Sequence, residues 1–170
     1  MEIHRFEKFW IIASLVLIVG YITTITYGAI GAGIGMVGDE GGMLENPASV
    51  TDNDNFREPG VYRTGENTFD VYVLARQFVY RPGTSEPIVL PAGSTATFYL
   101  ASREVIHGFQ LVDTNVNTMA IPGYVSKFKV RFNEARDYGL VCHEYCGTGH
   151  HLMEGSIRIV PPQEFEEMNS

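Results

Sequence analysis

Cysteine is scarce in this chain. Its 170 residues hold two, Cys142 and Cys146, and both fall in one short loop. That excludes the multi-disulfide framework of small secreted domains. Tryptophan occurs once, as Trp10. Lys and Arg number 12 against 20 Asp and Glu, for a formal net charge of −8. Such a chain repels phosphate, so no nucleic acid is expected among its partners. Charge of either sign is missing from Phe9 to Val37. Isolated Ser, Asp and Glu residues occur, but none has a partner at a spacing that suggests acid–base or nucleophilic catalysis.

The uncharged run has a direct consequence. From Phe9 to about Ile30 it is long enough, as a helix, to cross a hydrocarbon layer of about 30 Å. A cleaved signal peptide is the competing reading, with Gly31-Ala32-Gly33 offering small residues. Its apolar region would be shorter, roughly 7–15 residues. The length favours a retained anchor over 9–32. Arg5 and Lys8 precede the span and Asp39 and Glu40 follow it. Positive flanks stay inside, so residues 1–8 are expected in the cytoplasm and residues 40–170 outside. Trp10 sits where interfacial Trp commonly sits. Residues 28–42 contain seven glycines, which disfavour helix. With Asn46-Pro47 and Glu58-Pro59-Gly60, this makes 33–66 read as a flexible, polar linker.

From Asn67 the pattern changes to strands. Phe69, Val71 and Val73 alternate with Asp70, Tyr72 and Leu74. Residues Val125 to Phe132 run apolar and basic by turns, the period of a sheet with one wet face. Thr95 to Leu100, Val105 to Val112, Tyr138 to Cys142 and Ser156 to Val160 read as further strands. Pro82-Gly83, Pro91-Ala92-Gly93 and Pro122-Gly123 mark turns. Short strands at such spacing predict a mostly β sandwich over 67–161. An exposed acidic tail is expected over 162–170. Glu144, Glu154, Glu164, Glu166 and Glu167 could form one acidic patch, although composition alone explains them as solubility.

The loop that holds both cysteines reads Cys142-His143-Glu144-Tyr145-Cys146-Gly147-Thr148-Gly149-His150-His151-Leu152-Met153. Soft sulfur with imidazole suits copper better than a hard cation. A Cys142–Cys146 disulfide would close a very short loop and stabilise little, and it leaves the adjoining His and Met without a purpose. A Cys2His2 zinc module leaves Met153 unexplained. With His107 upstream there are enough ligands for two copper ions. Each residue also has a plainer role. Met153 alone would be core, and His107, between apolar neighbours, would be a buried and satisfied histidine. His143 and His151 have the wrong spacing for ligands.

The pattern Cys-x3-Cys-x3-His-x2-Met after a distant His resembles subunit II of the haem–copper oxidases, which carries the dinuclear copper centre CuA. The single N-terminal span resembles the B-type members. The resemblance implies a cupredoxin-like Greek-key β-sandwich with one transmembrane helix. It implies Cys142 and Cys146 as bridging thiolates, His107 and His150 as terminal imidazoles, Met153 as a weak ligand and Glu144 as a ligand through its carbonyl. It implies partners too: cytochrome c or a small copper protein as donor, and a haem-bearing subunit I that reduces oxygen and pumps protons. In some relatives the equivalent of the Glu144 side chain binds Mg²⁺ at a subunit interface. Many members take electrons through a Trp-containing aromatic run. The matching stretch here is Gln77-Phe78-Val79-Tyr80, which leaves Phe78 and Tyr80 as candidates, each otherwise an ordinary sheet aromatic. A copper-delivery protein with Cys-x3-Cys on a single anchor is the alternative, and it would alternate helices with strands. A mononuclear cupredoxin is another. Nitrous oxide reductase would need a further large domain.

Overall fold

The computed structural model describes residues 4–31, 42–43 and 54–169. The chain divides into two compact units, Met1–Gly33 and Ile34–Ser170. In the first unit, helix α1 spans Arg5–Gly31. At about 1.5 Å per residue its length is about 40 Å, more than the apolar layer needs. Its window Arg5–Gly28 has a mean hydropathy of 2.1 and none of it is buried. Thr23 and Thr24 donate their hydroxyls to the carbonyls of Val19 and Gly20, at 2.8 and 2.9 Å. Their polarity is thus satisfied within the helix, as an apolar surrounding requires. Most of the expected Gly-rich connector lies outside the described residues.

The second unit is a two-sheet sandwich. One sheet has the order β1 (Gly42–Met43), β9 (Tyr124–Arg131), β6 (Thr95–Ser102), β3 (Thr68–Arg76), β2 (Val61–Arg63), and β4 (Val79–Arg81) also pairs with β3. The other runs β5 (Ile88–Pro91), β11 (Glu154–Val160), β10 (Arg136–Val141), β7 (His107–Leu111), β8 (Asn117–Ala120). Successive strands often lie in different sheets, the habit of Greek-key folds. β3 lies parallel to β6 and β5 parallel to β11; the other pairs are antiparallel.

Period-two alternation puts the core where it was expected. Phe69, Val71 and Val73 of β3 and Phe128 and Val130 of β9 are buried. Phe98 of β6 stacks on Phe128 at 5.0 Å, and Phe109 of β7 meets Phe128 from the opposite sheet at 5.6 Å. This aromatic contact ties the two layers together.

The folded unit extends past 67–161 at both ends. Within the expected linker, helix α2 (Asp54–Arg57) packs Phe56 edge-on to Tyr72 at 5.7 Å, and β2 pairs with β3. Tyr72 in turn stacks on Tyr99 at 4.7 Å, so part of the outer sheet face is covered. Within the expected tail, helix α3 (Pro162–Met168) docks Phe165 on Phe69 at 5.5 Å. Arg63 lies against both rings and pairs with Glu166. Segments this short have no readable period. Polar residues dominate the two helices while a single Phe anchors each.

Candidate metal centre

β10 and β11 pair up to Val141↔Glu154, and the loop 142–153 closes their end. The Cys142 N–H donates to the Met153 carbonyl at 3.2 Å and fastens the loop at its base. A 3-10 turn, His150–Leu152, folds the loop back on itself. Gly147 at φ +133° makes the bend, a conformation that side chains with a Cβ rarely adopt. β7 runs beside β10 and starts with His107, which is fully buried.

Five side chains converge. The Cys142 and Cys146 sulfurs are 3.9 Å apart and unbonded, far beyond a disulfide of about 2.05 Å. His107 Nδ1 lies 3.1 Å from Met153 Sδ. Cys146 Sγ lies 3.7 Å from His150 Nδ1 and 3.7 Å from Met153 Sδ. The Glu144 carbonyl joins them, 3.2 Å from Cys142 Sγ. Ligand atoms of His107, Cys142 and Cys146 all fall within 4.8 Å of one another. The expected set of His107, Cys142, Glu144, Cys146, His150 and Met153 is therefore assembled in one place.

The arrangement fits a soft cation. His107 Nδ1 faces only a thioether, and its buried Nε2 has no hydrogen-bond partner. A thioether has no hydrogen to donate, so in the tautomer that carries the proton on Nε2 the Nδ1 lone pair is free for a cation. Burial lowers the His107 pKa, against an opposing pull from Glu104, with His150 lowering it further. The ring is thereby kept neutral, the form that binds metal. Burial, and then Cys142 beside it, pushes the Cys146 thiol up to about 11. A bound cation relieves that penalty by drawing out the thiolate. Two thiols, two imidazoles and a thioether together form a copper-compatible donor set.

Neighbouring groups hold the loop. Gln77 Nε2 donates to the Cys146 carbonyl at 2.9 Å. The Phe78 ring covers Gly147 and Gly149, where an added Cβ would come within 3.1 and 2.5 Å of it. Phe78 is half-buried, whereas Tyr80 is 2% exposed and donates its hydroxyl to the Gly108 carbonyl. Burial, then nearby Cys142, raises the Tyr80 pKa well above that of a free phenol. His143 turns away from the sulfurs, with Nε2 3.2 Å from the Thr118 carbonyl and Nδ1 3.5 Å from the Glu144 carboxylate. His151 is exposed. Gln77, Gly108 and Thr118 were not legible as site residues, since nothing in the spacing places them beside the loop. The five acids do not form one patch. Glu144 lies in the loop and Glu154 follows it, but α3 begins at the other end of β11, about 20 Å away at 3.3 Å per residue.

The family described as cytochrome C oxidase subunit II, periplasmic domain, matches residues 61–160. The chain belongs to that family. A cytochrome c oxidase subunit 2 of Thermus thermophilus is 36% identical over 161 residues, covering 92% of this chain and 93% of the relative. A second from Thermus thermophilus is 39% identical over 122 residues, covering 69% and 88%. Among solved structures, a heme-copper terminal oxidase dimer contains a chain that superposes with a TM-score of 0.66 at 29% identity, covering 92% of this chain and all of that one. The periplasmic domain of subunit II of cytochrome oxidase from Bradyrhizobium japonicum shares the fold, with a TM-score of 0.54 at 19% identity, covering 62% and 94%. As a subunit II, the chain works within a haem–copper oxidase beside catalytic subunits. The cupredoxin-like sandwich, whose strands β2 to β11 follow one another with no α-helix between them, does not match the delivery-protein alternative.

Proposed function

We propose that this subunit II holds two copper ions and relays electrons, one at a time, into the oxidase. Cys142 and Cys146 would bridge the pair, His107 and His150 would cap one ion each, and Met153 and the Glu144 carbonyl would complete the set. Such a centre supplies one-electron transfer with the charge spread over two metals. The protein contributes a rigid frame: β7 fixes His107, the β10–β11 pair fixes the ends of the loop, and hydrogen bonds hold what lies between. A donor such as cytochrome c or a small copper protein would dock outside the membrane, with the N-terminus of α1 inside. Of the two candidate aromatics, Phe78 is half-buried and lies against the loop, which favours it over the buried Tyr80 as the point of electron entry. Haem in the catalytic subunit would receive them for oxygen reduction coupled to proton pumping.

The observation that carries this reading is the pair of unbonded sulfurs 3.9 Å apart, ringed by two imidazoles and a thioether. The test loads the full chain with copper in detergent, counts metal per chain and records the electron paramagnetic resonance spectrum. Two coppers with hyperfine splitting from both nuclei are expected, and Cys146→Ser should abolish that splitting. A single copper in the wild-type chain, or splitting that survives Cys146→Ser, overturns the bridging assignment.

A further inference from the structure

β10 accompanies β7 only as far as Val141↔Gln110. Had the antiparallel register continued, residue 143 would face Gly108, but the chain has already turned into the metal loop. On that side Gly108 has no strand to bond, and buried backbone groups left alone are costly. Both of its groups find other partners. The N–H donates to Cys142 Sγ at 3.3 Å, and the carbonyl accepts the Tyr80 hydroxyl. The remaining side is closed by His143. A Cβ on Gly108 would lie 2.5 Å from the His143 backbone nitrogen and 2.6 Å from its ring. His143 is itself tethered to Thr118 of β8, the strand on the other side of β7.

We propose that the Gly108 amide sets the electron affinity of the metal site through its hydrogen bond to Cys142, and that Tyr80 and His143 are positioning residues that clamp it. The inference rests on the copper reading above. An amide donor stabilises a thiolate most when the site carries the extra electron, because the sulfur is then most negative. In a dry surrounding the effect is larger than in water. Hydrogen bonds weaken steeply as they lengthen and bend. Freeing the amide therefore disfavours the reduced form and lowers the midpoint potential. Neither clamp residue is itself a ligand, so metal content is expected to survive their loss.

The test compares wild type with Tyr80→Phe, His143→Ala and His143→Gln in the full chain in detergent. Copper per chain, hyperfine splitting and midpoint potential are measured on the loaded proteins. Deuterium exchange over 107–111 is measured on the copper-free ones. Tyr80→Phe and His143→Ala should keep the metal count, lower the potential and speed exchange at Gly108. His143→Gln, whose amide can still donate to Thr118, should stay near wild type. A potential that holds or rises in Tyr80→Phe with full copper content overturns the proposal while leaving the copper reading intact. Failure of wild type to bind two coppers overturns the copper reading instead. If His143→Ala loads no copper, Tyr80→Phe decides through both readouts together: the Tyr80 hydroxyl also lies near Cys142, so a lowered potential without faster exchange at Gly108 overturns the proposal.

Discussion

Gly149→Ala probes the seat of the metal loop without touching a proposed ligand. The new methyl carbon would sit 2.5, 2.7 and 2.8 Å from three atoms of the Phe78 ring. Ordinary carbon contacts are about 3.5–4.0 Å, so the ring must retreat by about 1 Å. Phe78 packs against the core, and the retreat has to displace packed neighbours. Overpacking of this kind costs about 1–3 kcal/mol. For a domain of this size that is a fall of roughly 3–15 °C in Tm. The obstacle is a side chain, so removing it should relieve the strain. A cycle of Gly149→Ala, Phe78→Ala and the double variant, followed by circular dichroism melting, should give a coupling energy of about 1–2 kcal/mol in favour of the double variant. Gly108→Ala provides the contrast. Its nearest obstacle is the His143 backbone nitrogen at 2.5 Å, which no substitution removes, so Gly108→Ala/His143→Ala should recover little. Additive effects in the Gly149 cycle, or a Gly149→Ala protein as stable as wild type, would show that the ring does not lie on the loop.

Copper loading should tighten with pH. The Cys146 thiol, held near 11 mainly by burial, stays protonated through neutral pH, and the metal must displace that proton. Apparent affinity should therefore drop by at least about tenfold per unit as pH falls from 8 to 6, and a flat competition titration would contradict this. Phe165→Ala should release α3 and cost about 3 kcal/mol in melting experiments while leaving the copper spectrum unchanged; an altered spectrum would mean that α3 supports the site. Glu164→Gln should leave electron uptake from a basic cytochrome c unchanged at physiological salt, because α3 begins about 20 Å from the metal loop, well beyond the Debye length of about 8 Å there. Slower uptake would restore the idea of a single acidic docking patch.

The site was more legible than the fold around it. Five of its six members fall in one twelve-residue loop, and donor softness restricts the metal whatever the fold. Long strands were legible too. β3, β6 and β9 have eight or nine residues each, enough for a period of two to stand out. α2, β2 and α3 were not, because four-, three- and seven-residue elements are held by contacts with distant residues. The aromatics of Gln77-Phe78-Val79-Tyr80 looked equivalent in the sequence. Only the β3–β4 hairpin separates them, with Phe78 in its turn lying on the loop and Tyr80 in β4 reaching Gly108 of β7.

The sequence by itself determined the apolar helix, the candidate ligand types, their spacing and the alternation that makes a sandwich, because each is a property of neighbouring residues. The tertiary structure decided what depends on residues far apart. It brought His107 within 3.1 Å of Met153 across 46 positions and laid the Phe78 ring on two loop glycines. It ended the β10–β7 ladder where the Gly108 amide could turn to a sulfur. Strand register sets those meetings, and register comes from packing of the whole core, which no local stretch of sequence encodes.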